Sequence, residues 1–409
     1  MKDEAAAAIA AGPDSHRDRF SVTLYGWFVV WGWLLYSFNP SVPLIATEMR
    51  VSKAVAGLHG TAIAAGVILA GIVTPRLVER FGRQAVLVVS GPVVAAGTLM
   101  LVTGPGIAWT MGGVFVVAAS ASIAVGGAQA GLVMRHQGRS SASLAEANGV
   151  GSTVGLLGPL AVGACVAAGW GWRPAVAVTG VLALGTAFAI SRLPARTVSA
   201  PIRATGEVQR ARRLPTSSWF YLAALVAAIA IENATTFWSA DLLIEHSGAG
   251  PGIATAAVAG LVAGMSAIRF VVGPLSLRIA PAHLLAAAFG VAILGWAVLW
   301  AATTPSLALA GLVLAGLGYG AQYPLAISLL LVAARGATDR AQARAMLAGG
   351  LAIGIAPFVL GALADAVGAH TAFVLVPVLA VIGAGAALAG PGSVSRELAR
   401  QERADAVSG

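Results

Sequence analysis

Charged residues are scarce in this sequence. Only 10% of the 409 residues are charged and 58% are hydrophobic, whereas soluble domains are about a quarter charged and about half apolar. The chain is therefore too apolar for a soluble globular protein, and far too apolar for a disordered one. Its length suffices for roughly ten to thirteen membrane crossings of about 20 to 24 residues each.

Lysine and cysteine are nearly absent, and each absence excludes a class of site. The only lysines are Lys2 and Lys53, and neither lies in a G-x-x-x-x-G-K-[ST] loop, which excludes a Walker-type ATPase. The single cysteine, Cys165, excludes an intrachain disulfide framework and a multi-cysteine metal site. No Ser/His/Asp or His-rich group is arranged at one membrane depth. We therefore expect no metal, no cofactor and no enzymatic activity.

Long apolar runs, broken by Gly, Pro or Arg clusters, predict transmembrane helices. The first run has no small-residue cleavage site behind a short apolar core, so we interpret it as a retained helix and not as a signal peptide. The sequence thus predicts an all-α membrane protein with twelve transmembrane helices. The predicted spans are 22–46, 56–77, 84–104, 107–134, 146–169, 172–192, 219–243, 252–276, 282–302, 306–333, 343–365 and 370–391.

Basic residues lie almost entirely on one side of these spans. With a cytoplasmic N-terminus, the cytoplasmic segments hold 21 of the 25 lysines and arginines, while Arg50, Lys53 and Arg173 lie opposite and Arg269 lies within a span. This distribution predicts a multi-pass protein of the plasma (inner) membrane with both termini in the cytoplasm. Topology and contact with anionic lipid of the bilayer also explain the net charge of +9, so we expect no nucleic-acid partner.

The spans divide into two similar halves. Gly127-Ala128-Gln129 in span four matches Gly320-Ala321-Gln322 in span ten, and Pro159 in span five matches Pro357 in span eleven. At the same offset as the prolines, the further matches are Gly151 with Gly349, Gly66 with Gly264, and Arg80 with Arg278. The predicted segments are a cytoplasmic tail 1–21, a six-helix bundle 22–192, a cytoplasmic linker 193–217, a second six-helix bundle 218–392 and a cytoplasmic tail 393–409.

Paired six-helix halves suit alternating access. In that mechanism two rigid bundles rock about a site at their interface, near the middle of the bilayer. A channel would need a continuous pore, usually built by symmetric subunits, and the sequence has no sign of a filter loop. The arrangement therefore predicts a secondary transporter that works as a monomer.

The loop between spans two and three carries the most specific local pattern. It reads Pro75-Arg76-Leu77-Val78-Glu79-Arg80-Phe81-Gly82-Arg83-Gln84 and resembles the pattern G-x-x-x-D-R-x-G-R-[RK] of the major facilitator superfamily. The matching residues are Arg80, Gly82 and Arg83, with Glu79 in place of the acid. The departures are Pro75 and Gln84. The resemblance covers roughly residues 20–392 and implies two pseudo-symmetric bundles of six helices.

An acid at this position has two interpretations. Glu79 could pair with arginines and with the N-terminus of a neighbouring helix, as a latch that holds the cytoplasmic side shut in one state. Alternatively, Glu79, Arg80 and Arg83 only anchor the loop at the membrane surface.

Span five partly resembles a stretch linked to exporters of the superfamily, G-x-x-x-G-P-x-x-G-G. The matching residues are Gly155, Gly158, Pro159 and Gly163, whereas positions 154 and 162 are Val. Close packing and helix bending explain the same residues without an export role. Span four also lacks the intramembrane Arg that many proton-coupled exporters of the superfamily carry near Gln129. The residues expected to bend helices are Pro40, Pro43, Gly158, Pro159 and Pro357.

Two charged residues lie within predicted spans, where a charge costs about 3 kcal/mol on insertion scales. Glu232 lies deep in span seven, and Arg269 lies about two turns from the cytoplasmic end of span eight. We interpret Glu232 as the group that takes up and releases a coupling proton, with Arg269 as its partner. The alternatives are a static Glu232–Arg269 pair, and an Arg269 that contacts backbone carbonyls or lipid phosphate.

Further acids lie near the outer ends of spans seven and eleven. Asp241 and Glu245 adjoin His246, and Asp365 lies in span eleven. These residues could form an outer gate, but their position favours a solvated loop.

By resemblance, spans one, four, seven and ten line the central cavity. The candidate cavity residues are Tyr36, Asn39, Gln129, Asn233, Thr236, Trp238, Tyr319, Gln322 and Tyr323. Amides, hydroxyls and aromatic rings suit a neutral or weakly charged organic substrate with apolar surface. The predicted function is proton-coupled export of a drug-like or secondary-metabolite compound. The alternatives are proton-coupled import of a sugar or organic nutrient and, more remotely, a membrane receptor or enzyme that does not transport.

Overall fold

The structure is a computed structural model that describes residues 18–135, 140–194, 214–276, 278–334 and 338–408. Most of the predicted N-terminal tail and of the predicted linker 193–217 lies outside these residues. Within them, twelve spans are long and apolar enough to cross a membrane, which confirms the predicted all-α membrane fold. The helices run over Arg19–Phe38, Val42–Met49, Lys53–Phe81, Arg83–Thr103, Ile107–Arg135, Ser140–Gly155, Leu157–Ala167, Arg173–Ser191, Thr216–Ser247, Pro251–Ser276, Pro281–Ala301, Pro305–Ala333, Thr338–Val367, Ala369–Ala372 and Leu375–Ser408.

Spans one and five are each built from two helices. In span one a 3-10 turn at Asn39–Ser41 separates the two helices; Pro40 within this turn has no N–H to donate to a helical hydrogen bond. In span five the interruption falls at Leu156, just before Gly158 and Pro159. Pro43 lies in the first turn of the second helix of span one. Four of the five predicted bending residues therefore lie at or beside an interruption, whereas Pro357 lies inside a continuous helix.

The packing of spans one to six is repeated by spans seven to twelve. Span one packs on span five as span seven packs on span eleven, and span two packs on span four as span eight packs on span ten. Likewise span three contacts spans four and six, and span nine contacts spans ten and twelve. We call spans one to six the N bundle and spans seven to twelve the C bundle.

Glycines that match between the two halves make equivalent contacts. A Cβ added at Gly66 would lie 2.8 Å from the backbone nitrogen of Ala119 in span four, and one at Gly264 would lie 2.2 Å from the carbonyl oxygen of Val313 in span ten. No side chain fits at such separations, so each helix pair packs backbone against backbone. The repeated glycines thus mark a repeated helix contact.

The two bundles meet mainly through two helix pairs, span two with span eleven and span five with span eight. We call the end of the molecule where span two begins the Lys53 face, and the end where span three begins the Arg83 face. At the Lys53 face a Cβ at Gly163 in span five would lie 2.5 Å from the carbonyl oxygen of Gly252 in span eight. The bundles are therefore in backbone contact at this end.

Candidate functional site

Glu232 lies in the middle of the 32-residue helix of span seven and is half-buried. Among the described residues none donates a hydrogen bond to its carboxylate and none forms an ion pair with it. The groups in electrostatic range of this carboxylate include Arg269 in span eight and the hydroxyls of Tyr36, Tyr319 and Tyr323. Because Tyr36 belongs to the N bundle, the acid lies where the two bundles face each other.

Arg269 contacts the opposite bundle. Its Nη1 donates a 2.9 Å hydrogen bond to Oγ of Ser152 in span five, and its guanidinium also lies near the Tyr36 hydroxyl. It does not form an ion pair with Glu232, so the static pair considered from the sequence is not made in this conformation. Sequence reasoning missed Ser152, because a lone serine in a glycine-rich span carries no signal of its own.

The amide of Asn39 lies at the same interface. Its Nδ2 donates to Oγ1 of Thr236 at 3.5 Å, and its buried Oδ1 has no partner among the described residues. Thr236 in turn donates to the carbonyl of Asn233, whose own Nδ2 donates to the carbonyl of Ile229. Asn39 thus has a buried amide oxygen without a partner among the described residues.

The predicted cavity residues of span ten point in different directions. The buried Tyr319 hydroxyl lies 3.0 Å from Oγ1 of Thr235 in span seven, and Nε2 of the buried Gln322 donates to the carbonyl of Ala288 in span nine at 3.3 Å. Tyr323 is 45% exposed. The first two side chains therefore bind span ten to its neighbours in the C bundle, and only Oε1 of Gln322 is left without a described partner.

Two other predicted cavity residues lie in contrasting surroundings. Gln129 is exposed and makes no hydrogen bond with the described residues. Trp238 is 1% exposed, and its indole N–H donates to the carbonyl of Pro357 at 2.8 Å. The proline of span eleven thus supplies an acceptor to span seven, and Oγ1 of Thr61 in span two donates to the nearby carbonyl of Gly354 at 2.7 Å.

The predicted latch residues at the Arg83 face differ in burial. Glu79 is exposed and has no hydrogen bond or ion pair within the described part of the chain. The guanidinium of Arg80 lies over the ring of Phe81, 5.3 Å from its centroid. Gly82, with φ of 79°, turns the chain between spans two and three, and the buried Arg83 begins span three.

At the Lys53 face a charged cluster joins the bundles, and we call Lys53, Asp241, Glu245 and Asp365 the Lys53 clasp. The Lys53 ammonium lies 2.7 Å from Oδ2 of Asp241 and also pairs with Glu245. Asp365 accepts hydrogen bonds from the backbone N–H groups of Lys53 at 2.9 Å and Ala54 at 2.8 Å. An acid of the C bundle thus caps the first turn of span two, whose N–H groups have no partner within their own helix.

These acids do not lie in a solvated loop, because all three lie in helices and have partners, although Glu245 and Asp365 are exposed. The sequence placed Asp241 and Asp365 in different spans and Lys53 in the outer loop before span two, whereas the structure begins the helix of span two at Lys53. The contact of these residues therefore depends on how the two bundles pack. The charge of Lys53 and the free N–H groups of span two attract acids from the opposite bundle, and Asp241 becomes largely buried with 14% of its side chain exposed.

Comparison with known proteins gives one family and several solved structures. The family model of the Major Facilitator Superfamily matches residues 23–294. No curated protein matches the chain by sequence. A bacterial homologue of the human lysosomal transporter Spinster, in an inward-facing and occupied conformation, superposes with a TM-score of 0.75 at 14% identity and covers 93% of this chain and 98% of its own.

Two further solved structures show the same fold. A mutant of the nucleoside transporter NupG has a TM-score of 0.73 at 11% identity and covers 91% of this chain and 98% of its own. The transporter FucP in an outward conformation has a TM-score of 0.60 at 16% identity and covers 91% of this chain and 99% of its own. At these identities the likeness establishes the fold alone.

Twelve membrane-crossing helices in two repeated bundles, with polar groups between them, define a multi-pass integral membrane protein of the transporter class. The family model covers well over half of the chain. The chain belongs to the Major Facilitator Superfamily, a family of transporters of small solutes and not of enzymes.

Proposed function

We propose that this protein is a secondary active transporter that moves a small organic solute by alternating access and is driven by protons. The observation that carries the proposal is Glu232, an acid without a described partner between two bundles that touch at one face. A charged carboxylate without a partner is costly at membrane depth. Glu232 is therefore suited to bind a proton and to release it again during transport. The moving bodies are the bundles 22–192 and 218–392.

The charge distribution supports an orientation with the Lys53 face outside. With the Arg83 face in the cytoplasm, 21 of the 25 basic residues lie on the cytoplasmic side, as the positive-inside rule expects. In this orientation the Lys53 clasp joins the two bundles at the outer face of a plasma-membrane protein. A protein closed on the outer side is in an inward-facing state.

Arg269 offers a route from proton binding to bundle movement. Arg269 binds Ser152 across the interface, and we assign this contact to the state in which Glu232 carries its proton. When Glu232 loses the proton, the carboxylate attracts Arg269 from within the same bundle, and the contact with the N bundle weakens. The ionisation of one acid thereby changes a hydrogen bond between the two bundles.

Replacing Ser152 with Ala is therefore expected to lower proton-driven transport by about three- to tenfold, the size expected for loss of one ordinary hydrogen bond. The pH dependence of transport should also move toward acid pH, since a released Arg269 stabilises ionised Glu232. Ser152→Thr keeps the hydroxyl and should behave as the unchanged protein. A loss of rate without any change in the pH profile would assign Ser152 a purely structural role.

The exposed Glu79 suits a latch that is open in this state. We propose that it closes on arginines of the Arg83 face when the Lys53 face opens, because an unpaired acid beside Arg80 and Arg83 is free to bind elsewhere. Glu79→Ala should reduce transport by about five- to tenfold without changing the amount of protein in the membrane. Glu79→Asp, which restores the acid of the family pattern, is the matched control. Full activity of the alanine variant in liposomes would leave Glu79 with only an anchoring role.

The polar groups at the interface favour a neutral or weakly charged solute. Asn39 offers a free acceptor, while the tyrosines near Glu232 offer hydroxyls and apolar ring faces. This chemistry fits a drug-like or secondary-metabolite compound moved outward, and the glycines of span five resemble those of exporters. Import of a sugar or nutrient is the second candidate, favoured by the same ring faces, which also stack on sugars.

Reconstitution into liposomes with an imposed pH gradient and a panel of labelled compounds tests the proposal. Accumulation of a compound on the acidic side identifies proton-coupled export, since protons and solute then move in opposite directions. Accumulation on the alkaline side identifies proton-coupled import. No response of any compound to a proton gradient would overturn proton coupling.

A further inference from the structure

A cavity lies at the Lys53 face, and Glu232 is not among the residues that line it. Its volume is about 280 Å³, and it opens between the end of span one and the end of span seven. It is therefore walled by both bundles. Residues that line it include Pro43, Arg50, Lys53, Trp238, Asp241 and Asp365.

The charged side chains around this cavity differ in whether they have a hydrogen-bond or ion-pair partner. Lys53 is bound by Asp241 and Glu245, and Asp365 is bound by two backbone N–H groups. The guanidinium of Arg50, by contrast, has no hydrogen bond or ion pair with any described residue. Arg50 is thus the charged side chain of the lining that has no partner among the described residues.

The backbone at Arg50 gives an independent reason to assign its side chain a role. Arg50 ends the second helix of span one with φ of 53° and ψ of 43°, and among the described residues it alone has a positive φ without being glycine. Glycine is the usual residue at such a helix end because any side chain adds strain there. Residues held in such sparsely populated conformations cluster at active sites and ligand clamps, which is the reason to look for a ligand of Arg50.

We propose that this cavity binds a small organic carboxylate with an aromatic or apolar body. Arg50 would hold the carboxylate through two parallel N–H donors, the geometry that a guanidinium matches best. The body of the ligand would pack against Trp238 and Pro43. Because Arg50 belongs to the N bundle and Trp238 to the C bundle, the ligand would join them and stabilise the state in which the Lys53 face is shut.

This proposal goes beyond the proposed transport function, since it needs neither Glu232 nor a proton gradient. Calorimetric titration of the purified full-length protein with benzoate, and with benzamide as the uncharged isostere, tests it. We expect benzoate to bind at least tenfold more tightly than benzamide, Arg50→Gln to lose that preference, and Arg50→Lys to keep part of it. Arg50→Gly should fold at least as well as the unchanged protein and still lose benzoate binding, which separates loss of binding from loss of folding.

Two further variants locate the bound benzoate. Trp238→Phe keeps an aromatic wall and should bind benzoate within about threefold of the unchanged protein. Glu232→Gln should not weaken benzoate binding, because this variant keeps the neutral side chain that we assign to the state with the Lys53 face closed. Equal binding of benzoate and benzamide, unchanged affinity in Arg50→Gln, or loss of affinity in Glu232→Gln would each overturn the assignment of this cavity. Failure of the transport tests would leave the result of these titrations unaffected.

Discussion

Replacing Glu232 with Gln should abolish solute accumulation driven by a pH gradient. Glutamine keeps the shape and the hydrogen-bonding capacity of a protonated glutamic acid, but it cannot release a proton. Coupling free energies between sites typically correspond to factors of about 5 to 150, so accumulation in liposomes should fall by at least about tenfold, toward that of liposomes without protein. Exchange of labelled for unlabelled solute, which needs no net proton movement, should continue.

The control for this variant is Glu48→Gln. Glu48 binds the indole of Trp172 and the guanidinium of Arg173 within the N bundle, so its replacement should leave the response to the gradient intact. Accumulation by Glu232→Gln at the rate of the unchanged protein would contradict the assignment of this acid. Loss of exchange together with accumulation would point instead to a role of Glu232 in binding the solute.

The second large effect is expected at the contact between spans five and eight. At Gly163 the nearest atoms to an added Cβ are the carbonyl oxygen of Gly252 at 2.5 Å and Cβ of Ala256 at 2.7 Å. Gly163→Leu therefore destabilises the closed Lys53 face seen here. Overpacking costs about 1–3 kcal/mol, which shifts the balance between the closed and open Lys53 faces by about 5- to 150-fold. Transport should fall by a similar factor because the cycle needs both states.

Thiol labelling reports this shift directly. With Cys165 replaced by Ala, a cysteine at the buried Ser41 should react with a membrane-impermeant reagent from the Lys53 face at least about tenfold faster in Gly163→Leu. Gly185→Leu is the matched control, because nothing lies within 4 Å of a Cβ added at Gly185. Equal labelling rates in both variants would show that the Gly163 contact does not hold this face closed.

The number and the limits of the spans could be predicted from the sequence because each depends on local composition. Hydrophobic runs give the crossings, and glycines that recur at a constant offset, such as Gly66 and Gly264, give the repeated helix contacts. The interruption of span one at Pro40 is likewise local, since it follows from the missing N–H of proline. These features need no knowledge of which helix lies beside which.

Contacts between distant helices could not be predicted in this way. Helical periodicity places Tyr319 and Gln322 on one face of span ten, but it does not say that this face packs on Thr235 and Ala288 within the same bundle. The hydrogen bond between Arg269 and Ser152 could not be predicted either, because the two residues lie more than a hundred positions apart in the sequence. The sequence did not predict that Lys53 pairs with acids, because these contacts form only where the ends of spans two, seven and eleven pack together.

The most direct test of alternating access is a pair of distances between spin labels measured at two pH values. With Cys165 replaced by Ala, one pair at the Lys53 face uses the exposed Thr103 and Thr303, and the other at the Arg83 face uses the exposed Phe81 and Ile279. The account predicts that a change of pH lengthens one distance while it shortens the other, and that Glu232→Gln removes both changes. Distances that stay fixed, or that lengthen together at both faces, would contradict rocking of two bundles about this acid.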